Sequence, residues 1–220
     1  MGLFSGSNPI SEEEYRRRRE NMVRYQIAGR DVKNPAVLDV MARVPRHLFL
    51  PEHLRPQAYD DGPLPIGDDQ TISQPFIVAS MTEMLNPDKS KSVLEVGTGS
   101  GYQTAVLAEL FGRVVTVEYF PALAGEARLV LENLGYENIE YRAGNALEVI
   151  GGTDIFEAIM VTAAPAEIPE KLISALGSGG RMIIPVGKGQ QYLKLVEKDF
   201  DAGLKIKTLY AVRFVPLLAD

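Results

Sequence analysis

The stretch Leu94–Thr104, LEVGTGSGYQT, constrains the fold of this chain more than any other. Apolar residues run into it and an amphipathic pattern leaves it, so it reads as a strand, a glycine-rich turn and a helix. Gly97, Gly99 and Gly101 free the backbone for a tight turn and for close approach to a ligand. The first such turn of an open α/β sheet is where a nucleotide sits. A dinucleotide fingerprint would read G-x-G-x-x-G, but Tyr102 holds the place of its third glycine. A phosphate loop would carry G-K-[ST], and no lysine is near.

Two acids narrow the choice of nucleotide. Glu95 lies beside the glycines, where a carboxylate would repel a pyrophosphate and suit a cationic group. Glu118 ends the next strand, VVTVE, the position from which a carboxylate accepts two ribose hydroxyls. A ribose, a positive group and no phosphate describe S-adenosyl-L-methionine, with its sulfonium and α-amino group.

The rest of the chain agrees with this fold. From Lys91 onward the strands SVLEV, VVTVE, IEYRA, FEAIMV and RMIIPV alternate with helices over 101–111, 121–134 and 167–176. That rhythm predicts an α/β fold, a doubly wound, mostly parallel Rossmann-like sheet covered on both faces. YLKLVE and LKIKTLYAVRFV alternate with period two and predict an antiparallel C-terminal edge.

Upstream, residues 1–10 are expected to fray. Ser11 and Glu14 form a capping box for a helix to about Ala28, in which Arg16–Arg19 are expected to pair with Glu12–Glu14 and Glu20 on the helix surface. Asn34-Pro35 starts a second helix with Val37, Leu38, Met41 and Val44 on one face. Residues 45–73 read as a loop-dominated lobe or lid, followed by the helix QPFIVASMTEML with Ile77, Met81, Met84 and Leu85 inward. The expectation is one domain over 1–220. Residues 1–90 form its substrate-side helical and loop lobe, and 91–220 form its cofactor-binding core.

Composition removes several chemistries. The chain has no cysteine, so disulfides, thiolate catalysis and cysteine-ligated zinc are impossible. Its only histidines, His47 and His53, stand in no ligand motif and are read as structural or solvent-facing, and no metal is expected. The net charge of −6 argues against nucleic acid or a membrane surface as partner. No apolar leader or spanning segment is evident, and a cytoplasmic monomer is expected.

VLEVGTGSGYQTAVLAEL and VTVEYFPALAGEA are similar to the cofactor motifs of class I methyltransferases. VPRHLFLPEHLRPQAYDDGPLPIG, QTISQPFIVASMTEML, VTAAPAEIP, GGRMIIPVG and VRFVPL resemble the protein-L-isoaspartate O-methyltransferase family, in the same order and over about residues 20–218. The resemblance implies methyl transfer from S-adenosyl-L-methionine to the α-carboxylate of isoaspartyl residues in damaged proteins and peptides. The ester then closes to a succinimide without the enzyme. It implies Ser73 as the active-site residue. The implied cofactor contacts are Gln70, Thr71, Ile72, Ser73, Glu95, Gly97, Thr98, Gly99, Ser100, Gly101, Glu118, Asn145, Ala146 and Thr162. Pro65, Ile66, Ser73, Arg213 and Val215 would meet the substrate. From the residues alone, Ser73 also reads as the cap of the helix that begins at Pro75, and Arg213 as a solvated strand charge.

The sequence departs from the family pattern at three places. Asn145 stands where an aspartate would accept the adenine amino group, and the loop after it is shortened. Asp69 replaces the usual glycine and would add negative charge near an anionic substrate. Three other readings stay open: a methyltransferase of the same lineage acting on another carboxylate, a cofactor-binding but catalytically silent module, and a nicotinamide dehydrogenase.

Overall fold

A computed structural model describes residues 10–201 and 203–218, so most of the segment expected to fray lies outside the described residues. Ser11 caps α1 (Glu12–Asn21), its hydroxyl accepting the Glu14 N–H at 3.2 Å. The helical course continues through a π turn, Met22–Ile27, and a 3-10 turn, Ala28–Arg30, and stops at Asp31 with φ 68°. Arg16 pairs with Glu20, and Arg17 and Arg18 pair with Glu14. Arg19 does not join them on the surface. It is buried and donates to the Ala42 carbonyl at 2.6 Å and the Tyr59 hydroxyl at 3.2 Å. Four consecutive residues sweep most of a helical turn, so one of them must face the core.

Asn34 caps α2 (Pro35–Arg43), which buries Val37, Val40 and Met41. His47 is buried in the lobe, stacked on Tyr15 at 3.9 Å and hydrogen-bonded to the Tyr59 hydroxyl at 2.8 Å, while His53 is exposed. Residues 45–73 are more ordered than the sequence suggests. They hold 3-10 turns at Arg46–Phe49 and Glu52–Gln57 and a hairpin of β1 (Leu64–Gly67) and β2 (Gln70–Ile72). The hairpin turns at Asp68 and Asp69, with φ 48° and 56°. Paired left-handed residues are the geometry of a type I′ turn, usually signalled by Asn-Gly or Asp-Gly. The next helix, α3 (Pro75–Met84), buries Val78, Ala79 and Met81, with Ile77 and Met84 only half-buried.

The sheet follows as β3 (Ser92–Val96), α4 (Tyr102–Leu110), β4 (Arg113–Glu118), α5 (Pro121–Asn133), β5 (Ile139–Ala143), α6 (Ala146–Val149), β6 (Phe156–Val161), α7 (Glu170–Ala175), β7 (Leu176–Val186), β8 (Gln191–Lys198) and β9 (Leu204–Val212). The strand order is β5-β4-β3-β6-β7-β8-β9. The pairs from β5 to β7 are parallel, and β8 and β9 are antiparallel. Helix α7 is shorter than the 167–176 expected. Pro169 pushes Ile168 out of helical geometry, and β7 already begins at Leu176.

Alternation along the strands builds two apolar layers. Val93, Val114, Ala158, Met160 and Ile183 pack against the N-terminal helices and α4. Leu94, Val96, Val115, Val117, Ile159, Val161, Met182 and Ile184 pack on the opposite face with residues of α6 and α7. Connections leave β3 toward β4 on one side and arrive at β6 on the other. The crevice at the carboxyl ends of β3 and β6 is therefore the topological switch point, where such sheets bind ligands.

Candidate functional site

A cavity of about 800 Å³ opens at that switch point. Its wall gathers four segments: the hairpin and the start of α3, the glycine turn, the ends of β4 and β6, and the C-terminal strap from Ala211 to Leu218. Of the residues expected at the site, Gln70, Thr71, Ile72, Ser73, Gly97, Thr98, Gly99, Ser100, Glu118, Ala146, Thr162, Arg213 and Val215 line it.

The turn is held from both sides. Gly97 has φ 97°, and a Cβ there would lie 2.2 Å from the Thr162 hydroxyl oxygen. That hydroxyl donates to the Val96 carbonyl at 2.9 Å or the Gly97 carbonyl at 2.7 Å, fastening β6 to the turn. On the other side, Glu118 Oε2 accepts the Gly99 N–H at 2.7 Å and Oε1 accepts the Phe120 N–H at 3.1 Å. An ionised carboxylate offers about four acceptor positions, so about two remain for a ligand. The same bond removes the Gly99 N–H from use by a phosphate, and the carboxylate would repel one.

Ser73 lies half-buried between β2 and α3. It is not the helix cap. Pro75 is the first helical residue, so the cap position falls on Gln74, which makes no side-chain capping bond. Ser73 lines the cavity, and its hydroxyl has no hydrogen-bond partner among the described residues. Arg213 is the only Lys or Arg on the cavity wall among the described residues, and it is exposed.

Five expected contacts stand off the wall. Glu95 is fully buried, and its Oε2 accepts from Thr104 at 2.5 Å and Thr116 at 2.6 Å. Strand parity turns it toward α4, away from the turn's open side. Burial pushes its carboxyl up to about 8, against the lowering effect of the two threonine bonds, with Glu118 raising it further. Buried against Thr104 and Thr116 and off the cavity wall, it is not placed to meet a ligand's cationic group, which corrects its expected role. Gly101, at φ 85°, serves packing: a Cβ there would press on Leu131 and Ala127 of α5 at 3.1 and 3.2 Å. Asn145 caps α6, its Oδ1 accepting the Leu147 N–H at 3.0 Å. Pro65 is exposed on β1, and Ile66 is half-buried, its Cδ1 3.5 Å from where a Gly99 Cβ would stand.

The Glu95 carboxyl gives a pH prediction. Its folded value near 8 exceeds the ordinary 4.5. Below 4.5 it is protonated in both states. Between 4.5 and 8 only the unfolded chain ionises, so stability falls as pH rises, by up to about 1.4 kcal/mol per pH unit. Glu95→Gln keeps an oxygen for both threonines and cannot ionise. The variant's Tm is expected to gain on the wild type steadily from pH 5 to pH 8. Parallel Tm curves over that range would contradict a raised Glu95 carboxyl.

Several wall residues carry no motif signal. Tyr119 and Phe120 follow Glu118 directly and could have been inferred from that adjacency. Gln74, Gln103, Gly144, Ala163 and the strap residues Phe214, Pro216, Leu217 and Leu218 arrive through tertiary contacts. The strap returns to the sheet by Ala164 N–H to the Val215 carbonyl at 2.7 Å and Leu217 N–H to the Ala164 carbonyl at 3.0 Å. The expected concern over Asp69 is not realised at the cavity: Asp69 is exposed at the hairpin tip and does not line it. No group of three or more His, Asp or Glu among the described residues could hold a metal, and no described helix is long and apolar enough to cross a membrane.

A glycine turn at the switch point of a Rossmann-like sheet, with its central amide taken by the acid that ends the next strand, defines a class I S-adenosylmethionine-dependent methyltransferase. The residues fit that cofactor: the Glu118 carboxylate is oriented and partly unengaged, and the cavity has room for a nucleoside. The family model described as Protein-L-isoaspartate(D-aspartate) O-methyltransferase (PCMT) matches residues 17–220. A protein-L-isoaspartate O-methyltransferase of Syntrophus aciditrophicus is 46% identical over 94% of this chain and 97% of its own. One of Picosynechococcus sp. is 48% identical over 90% of this chain and 89% of its own. A solved protein-L-isoaspartate O-methyltransferase superposes with TM-score 0.80 at 29% identity, covering 90% of this chain and 65% of that longer one. The chain belongs to the protein-L-isoaspartate O-methyltransferase family.

Proposed function

We infer that this protein transfers a methyl group from S-adenosyl-L-methionine to the free α-carboxylate of an L-isoaspartyl residue in a damaged protein or peptide. The observation that carries the reading is Glu118, fixed by two peptide N–H groups beside Gly99 in a chain of this family. The cofactor supplies an electrophilic methyl on a sulfonium; the acceptor carboxylate is already ionised at pH 7, so its attack gives an ester and a thioether with no proton to move. Among the described residues the wall carries no histidine, lysine or aspartate, and its one carboxylate, Glu118, is engaged by the glycine turn, which suits such a reaction. What remains for the protein is alignment and exclusion of water.

In this reading Glu118 accepts the ribose hydroxyls, and the 97–100 backbone, Thr162 and Ala146 border the cofactor. Asn145 contributes by capping the helix that presents Ala146. Gln70, Thr71 and Ile72 close the cofactor side, and the free Ser73 hydroxyl holds the acceptor carboxylate. Arg213 draws that anion in, with Val215, Pro65 and Ile66 along the peptide. The chain acts as one domain, its first 90 residues forming the acceptor side. A cytoplasmic monomer suits the reading, and sedimentation would check the oligomeric state. No other carboxylate is favoured, since Asp69 lies off the cavity wall.

Two peptides of one sequence, bearing isoaspartate or aspartate, test acceptor choice. Methylation of the isoaspartyl peptide alone is expected; equal methylation of both would overturn the reading. Ser73→Ala is expected to lower kcat/KM for that peptide by about 100-fold, with S-adenosylhomocysteine affinity nearly unchanged. Undiminished turnover would remove Ser73 from the site.

A further inference from the structure

The C-terminal strap is fastened along the cavity by a side chain that no motif marks. Gln191 opens β8 and reaches across to Phe214. Its Nε2 donates to the Phe214 carbonyl at 2.9 Å, and its Oε1 accepts the Phe214 N–H at 2.6 Å. One primary amide thus makes both bonds that a neighbouring strand would make to that residue. The strap is next fixed at Val215 and Leu217, through both peptide groups of Ala164. Between the two fasteners, the N–H and C=O of Arg213 and the N–H of Val215 have no partner among the described residues. Both residues line the cavity.

Polar peptide groups on a cavity wall need partners when the wall is covered. An extended peptide meets that need by pairing its main chain with an exposed strand edge. Which edge of the strap faces outward depends on which edge Gln191 holds. In an extended segment the peptide groups of neighbouring residues point to opposite sides. Engaging Phe214 on one side leaves the Arg213 groups and the Val215 N–H for the other, where the Val215 carbonyl already meets Ala164.

We propose that Gln191 is a positioning residue for the methyl acceptor: by gripping the peptide groups of Phe214 it holds the strap so that Arg213 presents its N–H and C=O, and Val215 its N–H, to the main chain flanking the isoaspartyl residue. The proposal rests on the isoaspartyl reading above. It makes Gln191 a determinant of affinity for extended peptide, and not for the reacting carboxylate or the cofactor.

Two isoaspartyl acceptors separate these effects. One is a peptide with several residues on each side, and the other is capped directly at the isoaspartyl residue. The wild type is expected to prefer the longer one through KM. In Gln191→Ala, KM for the longer peptide rises about ten-fold, the worth of roughly one hydrogen bond. Its kcat, the KM of the short acceptor and the dissociation constant of S-adenosylhomocysteine stay within about two-fold. Gln191→Glu keeps the oxygen that takes the Phe214 N–H but sets an acceptor-only oxygen against the Phe214 carbonyl. Its KM for the longer peptide is expected to rise at least as far, and it decides the matter should the alanine variant fold poorly. A glutamate variant that keeps the full preference for the longer peptide overturns the role of Gln191 and leaves the isoaspartyl reading standing. Equal losses on both acceptors and on S-adenosylhomocysteine binding would reduce Gln191 to a structural brace. A wild type that methylates neither acceptor defeats the isoaspartyl reading itself, and the proposal with it.

Discussion

Gly97→Ala is expected to destabilise the protein severely and to cut methyl transfer by at least about 100-fold. The backbone at Gly97 has φ 97°, a region that costs a residue with a side chain roughly 1–3 kcal/mol. The added methyl would also lie 2.2 Å from the Thr162 hydroxyl oxygen. Thr162 cannot swing away cheaply, because its hydroxyl reaches the Val96 and Gly97 carbonyls and its β-branch restricts χ1. A combined cost of about 3 kcal/mol corresponds to a fall in Tm of roughly 6–12 °C for a chain of this size. Adding Thr162→Ala removes the overlap and leaves the backbone penalty, so the double variant should regain part of the lost Tm. A single variant with unchanged Tm and unchanged S-adenosylhomocysteine affinity would mean that the turn does not pack against Thr162.

The second large effect belongs to Glu118. Its carboxylate joins the glycine turn to the end of β4 through the Gly99 and Phe120 N–H groups, and it faces the cavity with acceptor capacity left over. Hydrogen bonds to a charged partner contribute about 1.5–3 kcal/mol each. Loss of two ribose contacts in Glu118→Ala should therefore weaken S-adenosylhomocysteine binding by about 100-fold or more. Glu118→Gln keeps one oxygen, but its Nε2 must point at a peptide N–H or at the ribose, so a smaller loss is expected. Both variants raise KM for the methyl donor and leave KM for the peptide nearly unchanged. Calorimetric titration reads the donor side directly. An affinity within about two-fold of the wild type in the alanine variant would move the ribose elsewhere.

The mostly parallel sheet, its antiparallel C-terminal edge and the place of the cavity follow from patterns visible in the sequence. SVLEV, VVTVE and FEAIMV are short apolar runs between helical segments, and the glycine turn marks the switch point. From the residues alone Ser73 reads as a cap, but Pro75 is the first helical residue and puts the cap at Gln74, which leaves the Ser73 hydroxyl without a capping role. The direction of Glu95 was not readable. A strand alternates its side chains between two faces, but nothing local says which face α4 covers. That helix, with Thr104, draws the acid into the core. Asp68 and Asp69 form a hairpin turn without the glycine that usually announces one. Arg19 sits in a run of charged residues yet faces inward, because its partners Ala42 and Tyr59 are distant in sequence. The strap is the clearest case of a long-range element: its bonds to Ala164 and Gln191 tie together residues far apart in the chain.

The nature of the bond formed tests the account most directly. With radiolabelled S-adenosyl-L-methionine and an isoaspartyl peptide, the label is expected on the peptide as a methyl ester. Mild base should release it as methanol while the peptide's isoaspartate converts through succinimide. Label that survives base, on nitrogen or on nucleic acid, or no transfer at all, would contradict the account.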